Sequence, residues 1–403
     1  MKYEKEIAKN GQWTLKVNGR YIYSKYNPKR EAARNINAEF NKKASSYLLI
    51  GLGFGYHLEA LCELMDKKKS VQVVMLEEYE LELFNSIKSS FCFIDYHIKI
   101  IKINEVELYE NLQIIIPQVW MNTIEEKHPL YFNLADIKMK QVTYKKSASQ
   151  MYENFSFNSS LGNFNLPEQK EFLNQKFNAC LVASGPSLKE TVHWLKEQRE
   201  KVYILCVGSA LDFLLGHGVI PDAVIILDPK NNISHQINSE KYKGLLFYLS
   251  TANYQTIEVY PYKKIILLQE GYDLAEQLAE NYAYPLLETG GSVGTVGFSL
   301  LEYLGFSNIY LFGQDLGFLY DNTHVVGSTS GRVVSKNEKL IQLPSNNGGY
   351  IQTTLNLLSY LRWFERKFSE TNVNVFNTAY NGAEISYTKL IDYEEYINLI
   401  MEY

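Results

Sequence analysis

Six short, strongly apolar runs, several of them uninterrupted, limit most strongly what this chain can fold into. They lie near residues 179–183, 202–207, 223–227, 245–249, 264–268 and 308–312. A strand with one wet face alternates in polarity, whereas a continuous apolar run is covered on both faces. Helical patterns separate the runs, so a mostly parallel sheet flanked by helices is expected. A shorter series precedes it: Tyr47–Ile50, Val71–Leu76, Ile98–Ile103 and Leu112–Trp120. The fold class is therefore α/β, with two Rossmann-like α/β units of mostly parallel sheet and a helical C-terminal region.

At 403 residues there is room for two or three domains. The expected division is 1–165 for a lead-in and Rossmann-like accessory domain, 170–330 for a central catalytic domain and 331–403 for the helical region. Within the lead-in, Val17-Asn-Gly-Arg-Tyr-Ile22 reads as a hairpin turning at Asn-Gly. Pro28 opens a helix through Phe40. Residues 145–170 are polar and irregular; they either pass through a helix or stay irregular, and they end in a linker. Tyr350–Phe368 reads as one long amphipathic helix, followed by a short strand at Val373–Phe376.

The formal net charge of −5 does not imply a broad nucleic-acid surface. No apolar run approaches about 20 residues, so no membrane span is expected. The opening Met1-Lys-Tyr-Glu-Lys-Glu6 lacks a signal-peptide core. Cys62, Cys92, Cys180 and Cys206 show no metal-ligand spacing, and the last two fall inside predicted buried strands. Together these features point to a cytoplasmic protein.

The richest chemistry lies where strands end. Asn178-Ala-Cys-Leu-Val-Ala-Ser-Gly-Pro-Ser-Leu188 reads as a strand, a Gly-Pro turn and a helix start. Ser184, Gly185, Pro186 and Ser187 would present backbone N–H groups and the positive end of a helix dipole to an anion. An ordinary turn capped by Ser187 is the alternative. Downstream, Thr289, Gly290, Gly291 and Ser292 open a helix with apolar residues at Val296, Leu300, Leu301 and Leu304. Small residues there let a ligand approach the backbone. Ile309–Phe312 is a strand, with Gln314 and Asp315 at its carboxyl end, where open α/β sheets carry ligands. His324 follows in a loop without apolar periodicity. It is either a proton acceptor, for which an ordinary pKa of ~6.5 suits, or a surface histidine without a role.

Near the start, Gly51-Leu-Gly-Phe-Gly-Tyr-His57 follows a strand, and Glu77 ends the next one. Gly51, Gly53 and Gly55 with Glu77 form a candidate accessory nucleotide site. Equally, the glycines can serve chain geometry alone.

Several stretches together resemble the motility accessory factor family, whose members are linked to flagellin glycosylation with nonulosonic acids. They are Tyr23-Ser-Lys-Tyr-Asn-Pro28, Gly51–His57, Ser184–Leu188, Gly218-Val-Ile-Pro-Asp222, Leu227-Asp-Pro229, Gly290-Gly-Ser-Val293, Gly313-Gln-Asp-Leu316 and Asn377-Thr-Ala-Tyr-Asn-Gly382. Their order covers nearly the whole chain. The central unit is also similar to bacterial CMP-sialic acid sialyltransferases in Gly185–Leu188, Gly291-Ser292, Gly313 with Asp315, and His324. The tyrosines that hold the leaving phosphate in those enzymes lack a clean counterpart, Tyr320 being the nearest. Archaeal-type 6-hydroxymethylpterin diphosphokinases share the same central unit.

The resemblance implies transfer of a nonulosonic acid (pseudaminic, legionaminic or sialic type) from a CMP-activated donor to Ser or Thr of flagellin, in support of flagellum assembly and motility. His324, Asp315 and Tyr320 are the expected catalytic groups. Ser184–Ser187, Asp228, Thr289–Ser292 and Gln314 are expected to bind the donor, with Lys189 adding positive charge. No Asp-x-Asp motif occurs, and a nucleoside monophosphate can depart without a metal, so no metal or other cofactor is expected. The expected partners are flagellin and the CMP-sugar. The alternatives are an ATP-dependent pterin diphosphokinase, with Mg²⁺ on Asp228 or Asp315, and a non-enzymatic flagellin-binding assembly factor.

Overall fold

The structure is a computed structural model. It describes residues 1–87, 91–102, 106, 112–124, 131–173, 177–230, 236–237, 239–318, 324–329 and 340–401, except for the side chains at 132–133 and 135–146. The chain forms two compact units, Met1–Thr143 and Tyr144–Tyr403.

The first unit begins with antiparallel strands β1 (Tyr3–Ile7), β2 (Trp13–Val17) and β3 (Arg20–Tyr21). Asn18 and Gly19 join β2 to β3 at φ of 49° and 77°. This is the two-residue, positive-φ turn whose twist suits a tight hairpin. Helix α1 (Pro28–Glu39) starts at Pro28, and the Asn27 side chain accepts the Arg30 N–H. Then β4 (Ser46–Ile50), α2 (Tyr56–Leu64), β5 (Ser70–Val74), α3 (Tyr79–Ser86), β6 (His97–Ile101), β7 (Leu112–Ile115) and α4 (Gln118–Met121) follow. The last four strands form a parallel sheet in the order β6-β5-β4-β7. All of β4 and β7 is buried, as continuous apolar runs require.

Helix α5 (Tyr131–Ser160) runs through the first part of the polar segment, the helical alternative left open there, and α6 (Leu166–Leu173) follows. A reason why 145–160 looked irregular is that two of its buried contacts are polar. Asn154 and Asn158, one helical turn apart, are fully buried. The Asn154 side-chain amide donates to the carbonyls of Pro229 and Thr251, both at 3.0 Å. That of Asn158 donates to Ser250 and Ala252 at 2.9 and 2.8 Å. The helix thus docks on loop carbonyls through amides, which leaves no apolar stripe to read.

The second unit continues with β8 (Asn178–Val182), α7 (Leu188–Glu197), β9 (Tyr203–Val207), α8 (Leu211–Gly216), β10 (Ala223–Ile226), β11 (Leu245–Leu249), α9 (Tyr254–Val259), β12 (Lys264–Gln269), α10 (Asp273–Tyr282), β13 (Leu286–Leu287), α11 (Val293–Tyr303) and β14 (Asn308–Phe312). Next come β15 (Ile341–Pro344), β16 (Tyr350–Thr353), α12 (Leu355–Glu370), β17 (Asn374–Asn377), β18 (Lys389–Leu390) and α13 (Tyr393–Met401). Nine parallel strands line up as β13-β12-β11-β10-β9-β8-β14-β17-β18. Every residue of β8, β9, β10, β11 and β14 is buried. The α/β class with parallel sheets is thus as the sequence predicts. The C-terminal region adds β17 and β18 to this sheet as well as helices.

The expected helix at Tyr350–Phe368 is corrected at its start. Residues Tyr350–Thr353 pair antiparallel with β15, and the helix begins only at Leu355. The Thr354 hydroxyl accepts the Leu357 N–H and stops the helix extending backwards. Among the described residues, no helix is long and apolar enough to cross a membrane.

Candidate functional site

The order of strands in the second unit reverses beside β8: β9 to β13 lie on one side of it, and β14, β17 and β18 on the other. In open parallel sheets such a switch point leaves a crevice at the carboxyl ends of the two central strands. A cleft of about 330 Å³ opens there, and Ser184, Gly185, Ser292, Gln314, Asp315 and His324 all contribute to its lining. Residues more than 100 positions apart in sequence are therefore neighbours.

The turn after β8 is tied to the turn after β14. The Gly185 N–H donates to the Gly313 carbonyl at 2.8 Å. The Ser187 hydroxyl donates to Asp315 Oδ2 at 2.9 Å, and the Ser187 N–H lies 3.2 Å from both carboxylate oxygens. A Cβ on Gly185 would collide with that carboxylate, so glycine is required by close approach. Asp315 is 1% exposed. Burial pushes its carboxyl up to about 6, against the lowering effect of the Ser187 hydrogen bonds. Below, the Ala383 N–H donates to the Asp315 carbonyl at 2.8 Å, and the Gly382 backbone packs against it. Leu316 follows at φ 51°, an uncommon conformation for a branched residue.

This arrangement changes the reading of the Ser184–Ser187 turn. The Ser187 N–H at the start of α7 faces the protein's own carboxylate, so that amide is engaged within the protein. Asp315 in turn ties the two turns together while it also contributes to the lining of the cleft. Ser187 is fully buried.

Ser184 holds two further elements. Its hydroxyl lies 2.9 Å from that of Ser209, beyond β9. Its carbonyl accepts the Val325 N–H at 2.7 Å, which fixes the backbone beside His324 at the rim. Tyr320 lies outside the described residues.

Of Thr289–Ser292, only Ser292 lines the cleft. Gly290 packs on the Trp363 indole, which a Cβ there would overlap, and Gly291 stands beside Tyr360. Ser292 and Thr295 form a reciprocal cap on α11. Asp228 follows β10, with its carboxylate accepting the Lys230 N–H at 3.0 Å. Its charge, after burial, helps to push the Tyr360 hydroxyl up. Lys189 is exposed on α7 and is not among the lining residues.

Sequence reasoning missed the wall opposite. Gly294 of α11, Thr354, Asn356, Leu357 and Tyr360 at the start of α12, and Ser209 also contribute to the lining. Thr354 before an amphipathic run was a readable cap signal. Extending the helix back to Tyr350 concealed it.

In the first unit, the glycine turn is filled by its own protein. Glu80, fully buried on α3, accepts the N–H groups of Leu52, Gly53 and Leu76 at 2.6, 3.0 and 3.0 Å. Burial raises its carboxyl, and these bonds oppose that. A Cβ on Gly51 would overlap Trp120, and one on Gly53 would meet the Tyr23 hydroxyl at 2.7 Å. Gly51, Gly53 and Gly55 all have positive φ. Glu77 pairs with the Met1 amine. Two of the amides that would cradle a phosphate thus already hold a carboxylate. His57 is buried with neither ring nitrogen bonded among the described residues, and desolvation lowers it to about 3.

Residues 149–321 match the family described as 6-hydroxymethylpterin diphosphokinase MptE-like. The solved structure of a MAf glycosyltransferase from Magnetospirillum magneticum AMB-1 superposes at a TM-score of 0.50, covering 98% of this chain and 71% of that one at 13% identity. An uncharacterized protein of Treponema pallidum (strain Nichols) is 38% identical over 80 residues, which is 19% of this chain and 26% of that protein. The chain is thus Maf-like in fold, built around an MptE-like central segment.

Proposed function

We propose that this protein is a glycosyltransferase that moves a nonulosonic acid from a CMP-activated donor to a Ser or Thr hydroxyl of flagellin. The observation that carries this reading is the gathering of Ser184, Ser292, Gln314 and His324 around one cleft at the switch point of the sheet. The likeness of fold to the Magnetospirillum glycosyltransferase agrees with it. In the proposed step the bond between the sugar's anomeric carbon and the phosphate oxygen breaks, and CMP departs with the electron pair. The acceptor oxygen bonds to the anomeric carbon, and its proton passes to the imidazole of His324. Ser292 and Gln314 hold the donor, and Asp315 keeps the two turns in register. Tyr320 is retained as a catalytic group at the leaving phosphate and Asp228 as a donor contact, and no metal is required.

The match to the diphosphokinase family favours one other reading, Mg²⁺-dependent diphosphate transfer from ATP to a hydroxymethylpterin. Incubation with flagellin and a CMP-nonulosonate separates the two. Release of CMP with a matching mass increase on flagellin supports the transfer. Formation of AMP and a pterin diphosphate, without CMP turnover, would replace it.

A further inference from the structure

Three helices begin at or beside this cleft, and they differ in what meets their free amides. At α7, Asp315 takes the Ser187 N–H. At α11 and α12 the caps reach only the third residue: the Ser292 hydroxyl accepts from Thr295, and the Thr354 hydroxyl from Leu357. The first two amides of each helix, at Val293 and Gly294 and at Leu355 and Asn356, have no acceptor within their helix. Val293, Gly294 and Asn356 line the cleft.

A second observation points to a ligand independently. Gln314, also in the lining, is 7% exposed, yet its Oε1 has no hydrogen-bond partner among the described residues. This oxygen lies 2.8 Å from where a Cβ on Gly294 would stand, so it faces the first turn of α11. A buried amide oxygen without a donor is unfavourable, and a ligand N–H or O–H would relieve it. Among the described residues, moreover, no Lys or Arg lines the cleft. What the described lining offers an anion is main-chain amides and helix dipoles.

We infer that the cleft seats an oxyanion between the first turns of α11 and α12, with Asn356 as the residue that admits the charge, while Gln314 Oε1 takes a neutral donor of the same ligand. The transfer reading enters only in naming that ligand as a CMP-sugar, where the oxyanion is either the phosphate or the sugar carboxylate.

The test follows backbone amide resonances of the full chain during titration with inorganic phosphate, pyruvate, CMP and cytidine. Phosphate or pyruvate should move Leu355, Asn356, Val293 and Gly294 and leave Ser187 in place. The anion that acts at lower concentration identifies the source. Asn356→Asp should weaken that anion at least tenfold and leave cytidine unchanged. Aspartate is favourable in a first helical turn, so folding is not at risk. Anions that move Ser187 and not α12, anions that move neither helix, or an Asn356→Asp variant with unaltered anion affinity would each overturn the seat. Anion binding as described without CMP binding sinks the transfer reading and keeps the seat. CMP binding that leaves α12 unmoved does the reverse.

Discussion

His324 and Asp315 stand nine residues apart in the chain and have different parts. His324 sits at the rim, its neighbour Val325 fixed to Ser184. General acid–base catalysis typically contributes ~10²–10⁴-fold. His324→Ala is therefore expected to slow transfer to flagellin by that order, with CMP affinity and melting temperature unchanged. A decrease below about tenfold would remove His324 from the reaction. Asp315 is buried with its carboxyl raised from 3.8 to about 6. For a raised acid the stabilising contribution is complete below about pH 4 and is lost as pH rises through 6. Asp315→Asn cannot ionise and should gain on the parent between pH 4 and 6, on the order of 3 kcal/mol. Urea unfolding of both proteins across that range measures the difference. A constant difference would show that the carboxyl does not titrate there. Gly185 and Asp315 were both readable as site residues, but the hydrogen bonds from Ser187 were not. A contact across 128 positions has no local pattern.

Among the elements, the glycine turn after β4 shows how one motif supports two outcomes. Its strand–turn–helix form and its positive φ angles follow from glycine's freedom at tight turns. Whether the turn is open or filled depends on Glu80, brought there by α3. Glu80→Ala would leave the N–H groups of Leu52, Gly53 and Leu76 unsatisfied, at about 1–3 kcal/mol each for fully buried donors. We expect the variant to lose at least ~2 kcal/mol in chemical denaturation, with CMP affinity unaltered. A variant as stable as the parent would mean that the turn does not need its carboxylate. Helices α5 and α12 show the reverse limit. Asn154 and Asn158 anchor α5 through amides, so hydrophobic periodicity was silent there. At α12, the apolar pattern ran through a strand and obscured the Thr354 cap.

For the whole molecule, ligand linkage gives the most direct check on the donor. A ligand that binds only the native state adds about 2.7 kcal/mol at one hundred times its dissociation constant. CMP at that excess should raise the melting temperature by several degrees with EDTA present, and ATP should not. A shift with ATP and Mg²⁺ but none with CMP would favour the diphosphokinase reading. Apolar runs, turn glycines and helix periods are properties of near neighbours in the chain. The sequence alone therefore determined the α/β class, the positions of strands such as β8, β11 and β14, and the turns that end them. Only the tertiary structure set β14 beside β8, put Asp315 at the start of α7 and made α12 a wall of the cleft. Those outcomes depend on which strand edges pair and which buried polar groups find partners, and both are settled by burial across the assembled sheet.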